Sequence, residues 1–389
     1  MAALQAPRND LMLEDVVEPG RYTCTEGPFE HYERTLDVES LGQARYRVTE
    51  TTRWVLAIPI WGVLFRPLVR KMVVRREAPE PVAFGPGGEP VFISPWWSPP
   101  ARFNARSSQI LSRLCALSLL AGYLGTVITQ TITFAADEFG ASSTAQGTTL
   151  AAIRVGVLLS VGIMAISDRK GRQKLLLATA VGSAIFAAMG ALSPGLVFLG
   201  STQTLSRACS TAMALLIAVV AAEEMPAGGR AYAASVLAMT GALGAGLAVM
   251  LVPLADMAPW AWRVIYVVPV LFLPLFISVG RRLPESRRFV RPHGRATMAG
   301  HRRRLLLLAT VAFFGLMFWA PNTQFHNDFL RNEHGFSAAQ LTLFTLATGT
   351  PAGIGIVIGG RLADTRGRRM VGAIGTIGGA SLLALSYLV

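Results

Sequence analysis

From about residue 110 onward, runs of apolar residues alternate with short polar stretches. Each run is about 20 residues long, the length a helix needs to cross roughly 30 Å of hydrocarbon. The pattern predicts nine spans, at about 111–134, 146–166, 174–192, 196–222, 232–253, 262–280, 304–323, 338–360 and 371–389. In lipid an open strand edge would leave backbone groups unpaired, so these spans are expected to be helices. The chain before residue 110 is mostly polar. Tyr22 to Thr25 and Arg45 to Thr49 alternate as short strands do. Trp54 to Leu68 is apolar, holds Pro59 and Gly62, and is flanked by Arg53, Arg66, Arg70 and Lys71. At about 15 residues it is short for a span, so a segment over 54–72 is expected to lie on the membrane surface. A soluble core segment and a tenth span are the alternatives. Trp96 and Trp97, just before the first long run, suit an interfacial anchor.

Composition agrees with this pattern, since 52% of the 389 residues are hydrophobic and only 15% are charged. Such a chain is too apolar for a soluble domain, and the bilayer is its expected partner. The formal charge of +13 is concentrated in alternate connections. Arg169, Lys170, Arg172 and Lys174 lie in one, the arginines from Arg281 to Arg304 in a second, and Arg361, Arg366, Arg368 and Arg369 in a third. The intervening connections hold few lysines or arginines. This is the asymmetry of membrane topology and not a nucleic-acid surface; it places the basic loops and the N-terminus in the cytoplasm, in a multi-pass protein of the cell membrane. Met1 to Glu50 lacks the apolar core of a signal peptide, so the first membrane helix is expected to direct insertion. The three cysteines (Cys24, Cys115, Cys209) and five histidines form no disulfide framework, metal-ligand spacing or nucleophile–base arrangement. No metal, cofactor or enzyme chemistry is expected.

An internal repeat adds a mechanism. Ser167-Asp168-Arg169-Lys170-Gly171-Arg172 recurs as Ala363-Asp364-Thr365-Arg366-Gly367-Arg368, each copy joining two spans on the basic side. Duplicated halves are one way of building a transporter around a midplane site. A glycine turn beside a carboxylate and several cations can pair across helices in one state and separate in another.

The second copy, Gly360-x-x-x-Asp364-x-x-Gly367-Arg368-Arg369, resembles the loop signature of the major facilitator superfamily between its eighth and ninth helices. The first copy has Met164 where that family prefers glycine. Glu223-x-x-Pro226-x-x-x-Arg230 follows the fourth span, and Leu283-Pro284-Glu285-Ser286-Arg287-Arg288 follows the sixth. The latter is similar to the Pro-Glu-Ser-Pro-Arg signature of sugar porters and related metabolite symporters, with Arg287 in place of its proline. These matches run from about residue 111 to Val389. The resemblance implies a helical transporter working by alternating access. It further implies that Asp168, Arg169, Gly171, Arg172, Glu223, Arg230, Glu285, Arg288, Gly360, Asp364, Gly367, Arg368 and Arg369 form a conformational latch. Gly241, Gly244 and Gly246 on the fifth span suit close helix packing, and the Gly-Pro pair resembling an antiporter signature is lacking there.

Ionisable groups inside the membrane are costly and point to function. Arg154 lies 14 positions before Asp168 (168 − 154) and Arg207 lies 16 before Glu223 (223 − 207), roughly 21 and 24 Å along a helix, past the midplane. Tyr123, Thr126, Gln130 and Thr133 are spaced to form one polar stripe on the first span. Pro321 is expected to interrupt the seventh span beside Trp319, Asn322 and Gln324. Arg154, Arg207, Tyr123, Thr126, Gln130, Trp319, Asn322 and Gln324 are therefore the substrate-cavity candidates. Snorkelling of the arginines and packing by hydroxyls are the competing readings. No acidic residue falls near the middle of a span, so the visible spans offer no proton relay.

The fold class expected is thus all-α and polytopic. Its parts are an N-terminal cytoplasmic region (1–107), a six-helix bundle (108–282), a basic loop (283–303) and three helices of a second bundle (304–389). The solute is expected to be small and polar, an organic anion or a sugar; a non-transporting membrane receptor or regulator is the alternative. Nine spans where the resemblance implies twelve lead to a further expectation, that the chain is a truncated product or is completed by a second polypeptide.

Overall fold

A computed structural model of the chain describes residues 5–42, 45–74, 97–290, 298–332, 334–336 and 338–385. Trp96 lies outside this range. So do the side chains of Asp168, Arg288, Trp319, Asn322 and Gln324, whose backbone is described. The chain divides into two compact units, residues 1–286 with 355–389, and residues 287–354.

The first unit opens with an antiparallel meander of four strands, β1 (Leu13–Glu18), β2 (Arg21–Glu26), β3 (Phe29–Gly42) and β4 (Arg45–Leu56). The helical class holds for the polytopic part, and the alternating stretches at 22–25 and 45–49 of the N-terminal region belong to longer strands. A helix, α1 (Gly62–Val74), follows the sheet. Leu11, Met12, Phe29, Tyr32, Val69 and Val73 form a small core between them. Inside this region the Arg34 and Glu14 side chains, both fully buried, form an ion pair at 2.6 Å. Glu14 also accepts from the Tyr32 hydroxyl at 2.6 Å and from the Arg8 backbone N–H at 2.8 Å, and the Arg34 guanidinium stacks over the Tyr22 ring at 3.8 Å. A buried charge pair costs little only when its remaining hydrogen-bonding capacity is filled in this way.

The apolar stretch at 54–68 is divided between a strand and a helix. Trp54 to Leu56 complete β4, the chain turns at Pro59–Trp61, and only then does α1 begin. The turn puts β-branched Ile60 at φ 69°, a conformation such residues rarely adopt. It is held against the first membrane helix, where Ser112 donates its hydroxyl to the Pro59 carbonyl and accepts, at its own carbonyl, the Trp61 indole N–H at 3.0 Å.

Among the described residues, six stretches are long and apolar enough to cross a membrane: Ala105–Glu138, Ser143–Ser167, Arg172–Gly190, Leu196–Glu224, Ala227–Ala255 and Trp262–Arg281. They correspond to the first six expected spans. We label their helices α2 (Ala105–Glu138), α3 (Ser143–Ile153) with α4 (Val155–Lys170), α5 (Arg172–Gly190), α6 (Leu196–Glu224), α7 (Arg230–Leu251), and α8 (Trp262–Leu271) with α9 (Leu273–Arg281). The other three expected spans fall on α11 (Arg302–Asn332), α12 (Ala338–Arg366) and α13 (Arg368–Leu385); a short α10 (Arg287–Val290) precedes them. The expected break at Pro321 is absent, since α11 runs unbroken from Arg302 to Asn332. Membrane helices tolerate a proline where neighbouring groups satisfy the freed carbonyl.

The six-helix unit packs by close approach of small residues. A β-carbon on Gly122 of α2 would collide with the Gly241 carbonyl of α7, and one on Gly244 would collide with the Leu119 carbonyl. Ser118 bonds across this seam to the Leu237 carbonyl at 2.7 Å. Gly246 faces open space, so two of the three glycines of the fifth span make the contact.

Candidate functional site

The two copies of the repeat take the same backbone form. Gly171, between α4 and α5, has φ 95°, and Gly367, between α12 and α13, has φ 102°. Residues with a side chain rarely adopt this region, so glycine sets both turns. Each turn places basic residues beside the start of the next helix: Arg169 and Lys170 are exposed before Arg172, and Arg368 and Arg369 are exposed after Gly367.

Around the first turn, side chains from three connections converge. Arg172 pairs with Glu223 at 3.0 Å, both nearly buried. Glu223 also accepts the Ser286 hydroxyl. Glu285 accepts the backbone N–H groups of Arg172 at 2.9 Å and Gln173 at 3.3 Å. It thereby caps α5, whose own residues provide no side-chain cap, and an anion is favoured at a helix N-terminus. Gln173 bonds in return to the Arg281 carbonyl at 3.0 Å. Glu223, Arg172, Glu285 and Ser286 thus tie the start of α5 to the ends of α6 and α9 in one network. Arg106 joins it, pairing with buried Glu224 at 3.1 Å and bonding to the Glu285 carbonyl at 3.2 Å. Arg230 lies apart, donating to the Met225 carbonyl at 3.2 Å and so bracing its own turn.

The second turn serves a different helix. Asp364, whose side chain is only 1% exposed, accepts the Tyr232 backbone N–H at 2.8 Å and so caps α7. Arg368 pairs with the same carboxylate at 3.2 Å. Gly360, one helical turn earlier, lies where a β-carbon would strike Ser235 and the Ala231 carbonyl of α7. The motif glycine therefore permits the contact that the motif aspartate secures. Arg361 extends it to the Ser98 carbonyl, and the Tyr232 hydroxyl donates to the Trp97 carbonyl at 2.8 Å, tying the segment before α2 to the same seam.

Deeper in the membrane, Arg207 on α6 donates to the Gly125 carbonyl of α2 at 2.6 Å. Arg154 sits where the second span is broken, between α3 and α4. Gly156, two residues after it, packs against the Thr204 carbonyl and the Arg207 stem, so α4 meets α6 at the level of Arg207. Among the described residues neither arginine pairs with a carboxylate. Thr126 and Gln130 are half-buried and Thr133 is exposed on α2. Tyr123 departs from this stripe: it is buried and its hydroxyl donates to the Ile265 carbonyl at 2.7 Å, bracing α2 on α8.

At the opposite membrane end lies a cluster that the sequence reading does not pick out. Glu138, at the end of α2, accepts from Arg263 at 2.9 Å and from the Trp262 indole at 2.6 Å. Arg263 also donates to the Ala191 and Ser193 carbonyls, both at 2.8 Å. Its residues are far apart along the chain and match no motif, so only folding reveals it. Arg106 and Gln173 are equally silent in sequence.

A family model described as Major Facilitator Superfamily matches residues 114–389. Among solved structures, one similar chain is a bacterial homologue of the human lysosomal transporter Spinster, in an inward-facing and unoccupied conformation. It is 18% identical with a TM-score of 0.50, over 68% of this chain and 64% of that one. Another is the inward-open xylose transporter XylE from E. coli, at 19% identity and a TM-score of 0.42 over 47% and 49%. A third is the human organic anion transporter MFSD10, at 16% and 0.45 over 66% and 72%. This chain spans about half the length of two xylose transporter chains it matches, 53% and 49%. No curated protein matches it in sequence. None of these findings supports a second polypeptide as a partner.

Proposed function

The chain belongs to the Major Facilitator Superfamily, and from that membership and the geometry of its helices we propose that it carries a small organic anion across the membrane by alternating access. The observation that carries this reading is the placement of Arg207, which donates to the Gly125 carbonyl and packs against Gly156, two residues after Arg154, with no carboxylate on either arginine among the described residues. A cation held in the membrane interior is costly, and a single backbone carbonyl offsets only part of that cost. An anionic solute arriving between the two guanidinium groups offsets the rest, and Arg binds carboxylate or phosphate through paired N–H donors. Thr126, Gln130 and Thr133 offer uncharged polar contacts along α2; they favour a neutral sugar as the second reading.

The basic loops face the cytoplasm in this reading, and the N-terminal sheet lies with them in a protein of the cell membrane. The network around Arg172, Glu223 and Glu285, and the cap of Asp364 on α7, act as the latch that holds one state of the cycle. The role is that of a transporter and not of an enzyme or a receptor. Flux of labelled carboxylates and of labelled sugars into proteoliposomes tests it. Saturable carboxylate uptake that Arg154→Gln weakens through a higher KM supports the reading. Carboxylate uptake unchanged by Arg154→Gln and Arg207→Gln overturns the anion assignment, and binding without flux favours a regulator.

A further inference from the structure

Helix α1 has two unlike faces. One, carrying Val69 and Val73, is buried against the sheet. The other leaves Val63 81%, Leu64 66% and Val74 75% exposed, with Arg66, Arg70 and Lys71 exposed among them. At about 100° per residue, Arg66, Arg70, Val63, Val74, Pro67, Lys71 and Leu64 occupy one continuous arc away from the sheet. Large apolar side chains with such exposure, interleaved with cations, are unusual on a surface that meets only water.

The position of this helix is set independently at both ends. Its start is pinned to α2 through the bonds that join Pro59 and Trp61 to Ser112. Ser112 is seven residues into α2 (112 − 105), about 10 Å from its start. Arg106, six residues before Ser112 (112 − 106), pairs with Glu224 and bonds to the Glu285 carbonyl, so α1 starts at the end of the bundle that carries the Arg172–Glu223–Glu285 network. At the other end Arg8 donates to the Val73 carbonyl at 2.9 Å and the Met72 carbonyl at 2.8 Å, which closes the helix C-terminus with a cation. The start of the helix is thus held beside the second turn of α2 and its end by Arg8.

We propose that the outer face of α1 is a lipid-binding surface that recognises the anionic phospholipids of the membrane in which the chain is embedded. Val63, Leu64 and Val74 enter the boundary between headgroups and acyl chains. Arg66, Arg70 and Lys71 extend along it to reach lipid phosphates. The proposal concerns the N-terminal region alone and does not depend on what solute is carried.

The test uses the full chain with Cys24, Cys115 and Cys209 replaced by alanine and a single environment-sensitive fluorophore attached through Val63→Cys. The protein is reconstituted in phosphatidylcholine alone and in phosphatidylcholine with phosphatidylglycerol. With phosphatidylglycerol, the emission should shift to the blue and quenching by aqueous iodide should fall several-fold relative to a probe placed through Thr49→Cys on exposed β4. Arg66→Gln, Arg70→Gln and Lys71→Gln combined should remove the difference between the two lipid compositions. In the parent chain, raising salt to about 0.5 M should weaken it by screening, a measurement that does not depend on the triple variant folding. Quenching equal to that of the Thr49 probe in both lipids overturns the proposal. Protection that ignores both lipid charge and salt overturns the anionic assignment. Protection that vanishes on dilution to one chain per vesicle assigns the face to a second copy instead.

Discussion

The carboxylate of Asp364 accepts the backbone N–H of Tyr232 at 2.8 Å across 132 residues of sequence. Each partner explains the other. A helix N-terminus presents unpaired N–H groups and a partial positive charge, and α7 has no side-chain cap of its own. Asp364, otherwise a buried acid at 1% exposure, finds there a donor that compensates its burial.

Asp364→Asn keeps the side-chain shape but removes the charge. A hydrogen bond to a charged group contributes about 1.5–3 kcal/mol, so the state in which α12 abuts α7 should lose roughly tenfold or more of its population. Transport should fall while membrane expression stays near that of the parent, as quantitative blotting beside flux will show. The repeat places Asp168 in the corresponding turn, and Asp168→Asn should act in the same direction.

Glu223 stands between Arg172 and the Ser286 hydroxyl, so Glu223→Gln and Arg172→Gln should not act independently. Groups that share one network couple by about 0.5–3 kcal/mol. A double-mutant cycle on thermal stability in detergent should return that coupling. Strict additivity would mean that the pair is not formed in the solubilised protein.

Acid should unfold the N-terminal sheet late. Burial raises the Glu14 pKa, but the bonds from Arg34, Tyr32 and the Arg8 backbone outweigh it and hold the carboxyl below its ordinary value. A depressed folded value gives stability that is present above the ordinary carboxylate range, about pH 4, and lost only as pH falls through the lower folded value. Hydrogen exchange of β1 to β3 in the full chain should therefore stay slow through that range. Glu14→Gln removes the charge paired with buried Arg34 at 2.6 Å and leaves the longer contact to Glu50 at 3.8 Å, so it should weaken the sheet at neutral pH by up to about 3–5 kcal/mol.

Cys24 should react slowly with thiol reagents from either side of the membrane. Burial, with the charge of Glu14, pushes its thiol up to about 11, and its sulfur bonds to the Glu26 carbonyl at 3.1 Å. Alkylation should accelerate with pH toward about 11. The side on which the N-terminus lies is better read from exposed Thr49→Cys, which an impermeant maleimide should label only after permeabilisation.

Much of this architecture could be read directly from the chain. Long apolar runs can be satisfied in lipid only as helices, so α2 to α9 follow from hydropathy and length. The duplicated Asp-x-x-Gly-Arg turn is local chemistry, and Gly171 and Gly367 adopt the positive φ that makes glycine necessary there. The N-terminal sheet was less legible because the burial of Glu14 and Arg34 in one core breaks the alternation that marks strands; a charge is tolerated inside only when a partner from another strand arrives, and no local pattern announces that. Pro321 misled for the opposite reason, since its effect on a helix depends on neighbouring groups and not on proline alone.

The sequence by itself determined a polytopic helical protein of this family with two matching glycine turns, because hydropathy and turn chemistry are carried by neighbouring residues. Only the tertiary structure decided that Asp364 caps α7, that Glu285 caps α5, that Tyr123 spends its hydroxyl on Ile265, and that Glu138 meets Arg263 at the far end. Each of these is a polar group satisfied by a partner more than 100 residues away, and such pairings are fixed by which helices pack together, a choice that no local stretch of sequence contains.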